Sequence, residues 1–322
     1  MFAVNLQMGK HMWASERPCD PNGRYVSDKV DDHEGLWNAW AQHARACGAN
    51  TLSVDVAEML HYPSHPEIWL EGGWSAEKMN GWVRRMKALG FRDVVPSLNF
   101  SAYHCVWLGE YSRMISTRKY YQVCRDLLKD VYEIFDRPPL IHFGMDEEHV
   151  RPGFAKTMPN SLYVVRQGEL YWHDNLFFIR EIEKLGARAW MWADKVWWEP
   201  DEYVKHIPKS ALQSNWFYGL SFDKSEVPHF MAREIDAYDV LERHGYDQVP
   251  GCSHYVDEND REKGVGPEAN PNIAETFRHC GDLIAPERLK GFYVMSWEGN
   301  GPEGDRYFRL ACDQMRDAIA AW

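Results

Sequence analysis

Short runs rich in Val, Ile, Leu and aromatic residues recur along the chain at 2–8 (FAVNLQM), 49–56 (ANTLSVDV), 92–100 (RDVVPSLNF) and 139–145 (PLIHFGM). Four more follow at 187–193 (ARAWMWA), 211–217 (ALQSNWF), 247–253 (DQVPGCS) and 290–297 (KGFYVMSW). Between consecutive runs the apolar residues fall three and four apart, as in Leu36, Trp37, Trp40 and Ala44, or Tyr120, Cys124, Leu127, Val131 and Phe135. That spacing predicts amphipathic helices, each burying one stripe. Gly48, Gly90, Gly186 and Gly245 each stand just ahead of the next run, where a helix-ending glycine is expected. A last helix is predicted over 307–322, and the polar stretch 257–271 predicts a long loop after the seventh strand.

Eight strand-helix units with no break in composition predict a parallel sheet, and eight such units close into a (β/α)8 TIM barrel. The 322 residues are read as one domain, 1–322. An open doubly wound sheet is the alternative; the absence of a glycine-rich phosphate loop after the first strand counts against a dinucleotide-binding version of it.

Composition narrows the class. A net charge of −12 argues against a polyanionic partner, since nucleic-acid binding rests on Lys and Arg neutralising phosphates. No segment approaches the ~20 apolar residues needed to cross a bilayer. The seven Cys show no CxxC or Cys/His zinc spacing, and Cys47, Cys124 and Cys312 fall in helical patterns as small buried residues. With no basic segment and long apolar stretch at the start, cytoplasmic residence is expected. The pattern says nothing about oligomeric state. The 15 Trp are numerous, and those near strand ends are candidates for stacking on sugar rings.

In a barrel of this kind the site forms where strands end and loops begin. Those positions hold Lys10, His11 and Trp13; Asp55 and Glu58; Asn99, Tyr103 and His104; Asp146, Glu147, Glu148 and His149; Trp192 and Asp194; Trp216 and Tyr218; His254 and Tyr255; and Trp297, Glu298 and Asn300. Acids, imidazoles and indoles on one rim predict a carbohydrate site, with no cofactor and no resident metal. Asp146 and Glu147 are the catalytic candidates. His11, His104, His142, Trp192, Asp194, Trp216, Tyr218, Tyr255, Trp297 and Glu298 are the substrate-binding candidates, His142 chiefly as a buried support for the acidic pair.

Successive side chains of a strand point to opposite faces, so Asp146 and Glu147 share a pocket only if the chain leaves the strand there, and Gly144 permits this. Two neighbouring acids do not straddle a glycosidic bond as the carboxyls of ordinary retaining enzymes do, so a third group must act as nucleophile.

The run His142, Phe143, Gly144, Met145, Asp146, Glu147 resembles the His-x-Gly-Gly-Asp-Glu motif of glycoside hydrolase family 20, the β-N-acetylhexosaminidases, with Met145 in place of a glycine. Pro96 and His104 match the family's strand 3 stretch, whose glutamate and aspartate are lost here. Trp192 with Asp194, Trp216, and Trp297 with Glu298 resemble its strand 5, 6 and 8 positions. The resemblance implies substrate-assisted hydrolysis of a β-linked hexosamine-type glycoside, in which the 2-acetamido oxygen attacks its own anomeric carbon. Glu147 is then the acid and later the base, with its proton held by apolar neighbours or by Asp146, and ionised Asp146 orients the acetamide and balances positive charge. Trp192, Trp216 and Trp297 wall the acetamide pocket, Tyr218 or Tyr255 donates a hydrogen bond to the intermediate, and Glu298 and Asp194 bind hydroxyls.

Two rival readings stand beside it. A metal-dependent sugar isomerase, epimerase or lyase would draw ligands from Glu58, Asp146, Glu147, His149, Asp194, His254 and Glu298. A sugar-binding barrel without turnover is the other.

Overall fold

The structure, a computed structural model, describes residues 1–9, 11–12, 29–148, 166–256, 258–262, 264–297 and 299–322. Of the positions named above, Lys10, Trp13, His149 and Glu298 lie outside the described residues. Eight parallel strands alternate with helices: β1 (Phe2–Gln7), α1 (Glu34–Ala46), β2 (Thr51–Asp55), α2 (Ala76–Ala88), β3 (Asp93–Ser97), α3 (Arg118–Ile134), β4 (Leu140–His142), α4 (Glu169–Leu185). The second half continues with β5 (Arg188–Trp192), α5 (Pro200–His206), β6 (Leu212–Ser214), α6 (His229–Arg243), β7 (Gly251–Ser253), α7 (Asn272–Leu283), β8 (Phe292–Met295) and α8 (Asp305–Ala321). Hydrogen-bonded neighbours run β6-β5-β4-β3-β2-β1-β8-β7, and the parallel bridges Gln213 to Gln248 and Trp216 to Gly251 bring β6 beside β7. The chain folds as the (β/α)8 barrel that its alternation predicts.

Alternate strand residues divide between two cores, as the pleat requires. Val4, Leu6, Leu52, Val54, Val94, Ile141, Met191 and Val294 face the helices. Ala3, Val95, Trp190, Trp192, Leu212, Val249, Tyr293 and Met295 fill the barrel interior. Polar members of the inward set bond to one another: Asn5 Nδ2 donates to Asp55 Oδ2 at 3.0 Å, Tyr293 Oη to Ser53 Oγ at 3.0 Å, and Trp190 Nε1 to Ser214 Oγ at 2.7 Å. The predicted helix stops are all left-handed, with φ of +98° at Gly48, +108° at Gly90, +94° at Gly186 and +75° at Gly245.

Two expectations need correction. Strands β4, β6 and β7 are three residues each, shorter than their apolar runs, because the ends of those runs leave the sheet to build the rim. The stretch read as a long loop contains a short helix, Glu258–Glu262, and a helical turn at Pro267–Ala269. It carries no apolar stripe, the only helix signal that periodicity reads.

A buried ion cluster anchors the chain on either side of the segment between β4 and α4. Arg166 Nε meets Asp174 Oδ2 at 2.6 Å and its Nη2 donates to Tyr120 Oη at 2.8 Å, while its Nη1 contacts Glu148 Oε1. The Glu148 carboxylate also accepts from the Ala102 and Arg166 backbone amides at 2.6 and 3.0 Å. Glu148 is thus a structural anchor rather than the start of a loose loop. Removing one partner of such a set strands the others without solvent, so Arg166→Ala is expected to lower the unfolding free energy by about 3–5 kcal/mol, measured by urea denaturation.

Candidate active site

The site begins with an unusual backbone. Beyond β4, φ is +73° at Gly144, +75° at Met145 and +59° at Glu147. Left-handed non-glycine residues cost on the order of 1–3 kcal/mol each and persist only where surrounding bonds over-determine them. Here they are fixed from four sides. Asn99, just past β3, takes the Met145 amide on its Oδ1 at 3.2 Å and donates from Nδ2 to Asp146 Oδ1 at 2.7 Å. The Tyr171 hydroxyl reaches the Met145 carbonyl at 3.3 Å, the Trp192 amide reaches that of Gly144 at 3.1 Å, and the Glu147 amide donates to Asp194 Oδ2 at 2.9 Å. A Cβ on Gly144 would stand 2.1 Å from Asn99 Oδ1, so only glycine lets the two segments close. The result puts consecutive acids on one side of the chain, which a strand cannot do.

Both acids converge on one imidazole. His104 Nε2 lies 3.2 Å from Glu147 Oε2 and 3.3 Å from Asp146 Oδ2, and its Nδ1 lies 2.9 Å from the Met12 carbonyl. A carbonyl only accepts, so Nδ1 carries a hydrogen; Nε2 then shares a second hydrogen with the carboxylates. Burial opposes charge on His104, but the Asp146 and Glu147 carboxylates outweigh it and push its pKa up to about 10. Burial likewise opposes ionisation of Asp146, and the facing His104 with the Asn99 hydrogen bond outweighs that and holds it below the usual carboxylate range. Asp146 is buried, whereas the Glu147 side chain keeps 22% of its surface exposed, leaving it the accessible member.

The predicted aromatic residues form a floor and a wall. Trp192 is buried, stacked on Tyr293 at 5.2 Å and edge-on to His142 at 4.9 Å, so it belongs to the floor. His142 also meets Trp190 edge-on at 5.0 Å, and burial drives its pKa down to about 3, so it is neutral at physiological pH. Trp216 and Tyr218 stack at 5.0 Å, and Tyr218 lies 6.4 Å from both Trp297 and Tyr255. Burial, with the Asp146 charge acting in the same sense, raises the Tyr218 hydroxyl well above its ordinary pKa and keeps it a donor. Gly251 leaves the room this wall needs, since a Cβ there would stand 3.1 Å from Trp216 Cβ and 3.3 Å from the Trp192 ring.

Other expected contacts fall elsewhere. Buried Asp194 spends one oxygen on the Glu147 amide and so positions the acid. His11 is buried, its amide donating to Glu58 Oε1 at 3.0 Å, and both line a cavity of about 200 Å³ with Glu67, Trp107 and Tyr111. His254 is buried against the Tyr307 ring at 6.0 Å. Of the ligands the metal reading named, Asp146 and Glu147 therefore meet, and His104, which it did not name, joins them; the three ligand atoms lie within 4.8 Å of one another. Asn99 and the Met12 carbonyl were not singled out from the sequence. Asn99 stood on the rim, but a backbone carbonyl has no sequence signature.

The His104 proton carries a pH signature. A histidine whose pKa is raised by folding stabilises the protein fully below its ordinary value of 6.5, and that contribution drains away as pH climbs to about 10. Urea titrations across this range are expected to show a fall for the wild type that His104→Gln largely abolishes; parallel profiles would show that the proton is not shared as the geometry requires.

No protein-family model matches the sequence, and no curated protein matches it. Solved structures do. A GH138 enzyme targeting pectin rhamnogalacturonan II superposes with a TM-score of 0.56 at 10% identity, over 100% of this chain and 48% of that one, so this chain spans about half that enzyme's length. A GH5-4 broad specificity endoglucanase from Clostridium longisporum gives a TM-score of 0.54 at 12% identity, covering 99% of this chain and 96% of that one. A family 5 xyloglucanase from Paenibacillus pabuli gives 0.51 at 13% identity, covering 99% and 97%. At such identities the chain is similar to these proteins in fold, the (β/α)8 barrel.

Proposed function

We propose that this chain is a glycoside hydrolase acting on a β-linked hexosamine-type glycoside, with Glu147 as the acid-base residue and Asp146 as its ionised partner. The observation that carries this reading is the convergence of Asp146 and Glu147 on His104 Nε2, at 3.3 and 3.2 Å, beside a wall of Trp216, Tyr218 and Trp297. That the solved structures sharing the fold include an endoglucanase and a xyloglucanase by name supports it.

The geometry supports the following chemistry. Glu147, supplied with a proton from its hydrogen bond to His104, protonates the leaving oxygen as the anomeric C–O bond breaks. Asp146 and Glu147 are consecutive residues meeting on one imidazole, an arrangement that supports attack by the substrate's own acetamide rather than by a carboxylate across the bond. The substrate's acetamide oxygen then bonds to the anomeric carbon, and Asp146 balances the positive charge of the oxazolinium ring. Tyr218 donates to the acetamide oxygen. In the second step Glu147 takes a proton from water as it attacks the anomeric carbon and reopens the ring. The His104, Asp146 and Glu147 cluster also favours one second reading, a divalent ion at this point serving a sugar isomerase, epimerase or lyase.

With aryl glycosides bearing a 2-acetamido group, Glu147→Gln is expected to lower kcat by about 10²–10⁴, least where the leaving phenol is acidic and needs no proton. Asp146→Asn is expected to impair every acetamido substrate alike. Equal turnover of glycosides with and without the acetamide would remove substrate assistance. Loss of turnover in EDTA, or an absence of any hydrolysis, would favour the second reading.

A further inference from the structure

We propose that His43, Cys47 and Asp313 form a binding site for a zinc-class divalent cation at the end of the barrel opposite the catalytic pair. His43 and Cys47 stand four residues apart, at the end of α1 and the residue capping it, and therefore on the same side of the helix. Asp313 comes from the middle of α8, 266 residues further along the chain than Cys47. Chain order places the cluster: Cys47 leads within four residues into β2, so it sits where strands begin, whereas Asp146 and Glu147 stand where they end.

The distances match what such an ion demands. His43 Nε2 is 3.2 Å from Asp313 Oδ1, Cys47 Sγ is 3.5 Å from the same oxygen, and Sγ is 3.7 Å from Nε2. Tetrahedral zinc, with bonds of about 2.05 Å to nitrogen, about 2.1 Å to oxygen and about 2.3 Å to sulfur, sets edges of about 3.4 Å for N–O and about 3.6 Å for both S–O and N–S. All three separations therefore agree to within ~0.2 Å. One imidazole, one thiolate and one carboxylate form a borderline-soft set, which suits zinc and not magnesium or calcium. Cys47 is buried while the His43 and Asp313 side chains are 26% and 38% exposed, so a water completes the fourth position from the solvent side. Binding exchanges the Cys47 thiol proton for the metal, and the proton leaves to solvent.

Arg316 is the built-in competitor, its Nη1 standing 2.8 Å from the same Asp313 oxygen. An incoming ion takes that oxygen, and the guanidinium is left to Asp317, which it already meets at 2.9 Å. The site would staple the first helix of the barrel to the last, beside the seam where β1 pairs with β8, where Trp40 already stacks on Phe308 at 4.7 Å. Its role is structural, so it is separable from any metal at the catalytic cluster.

The test uses the full chain, freed of metal by dialysis against chelator and titrated with Co²⁺ as a spectroscopic probe, followed by displacement with Zn²⁺. A thiolate-to-cobalt charge-transfer band saturating at one equivalent is expected, together with a Tm that rises with zinc. The band should vanish in Cys47→Ser and persist in Glu147→Gln. Affinity should fall at least ~10-fold in Asp313→Asn, a first ligand being worth no less than an outer-shell partner, and should rise in Arg316→Ala. Absence of the band from wild type, its survival in Cys47→Ser, or unchanged affinity in Asp313→Asn would each overturn the site. Circular dichroism of the variants separates loss of binding from loss of fold.

Discussion

The left-handed turn from Gly144 to Glu147 is the constraint on which the site depends. A regular continuation of β4 would send Asp146 and Glu147 to opposite faces, one into the helical layer. Positive φ at three of four residues prevents this, and the strained backbone is held by hydrogen bonds from the two neighbouring units, through Asn99, Trp192 and Asp194, and from Tyr171 on the helix that follows β4. Strain of this kind survives where a rigid surround over-determines it. The closed barrel is that surround.

The same packing decides the electrostatics. Two carboxylates this close would repel if both were bare, and buried charge without a partner is costly. His104 resolves both problems, because the Met12 carbonyl fixes one ring hydrogen and leaves the other facing the acids. His142, only four residues before Asp146, has the opposite fate. Surrounded by Trp190, Trp192 and Tyr293 it is held neutral, so two histidines of one site carry different charges for reasons of neighbourhood alone.

Charge elsewhere in the molecule is used for position. The Glu148, Arg166 and Asp174 cluster ties the chain leaving β4 to the start of α4, and it sits directly beside the left-handed turn. Glu148, chemically identical to Glu147 and adjacent to it, is consumed by Arg166 and two backbone amides, whereas Glu147 stays partly exposed. Adjacent identical residues thus divide into a buried anchor and a partly exposed carboxylate.

The sequence by itself determined the architecture: eight apolar runs separated by helical periodicity, with glycines at four helix ends, predict a barrel ahead of an open sheet, and strand ends then mark the rim. It also singled out Asp146 and Glu147 and the indole-rich wall, because residue type and distance from a strand end are local properties. It did not reveal that Trp192 lies in the floor, that Asp194 holds a backbone amide, that His104 unites the acids, or that His43 and Cys47 meet Asp313. Those pairings join residues from 42 to 270 positions apart, and only closure of the barrel sets their register. Periodicity is written along the chain, whereas the partner of a polar group is decided by whatever the fold brings to it.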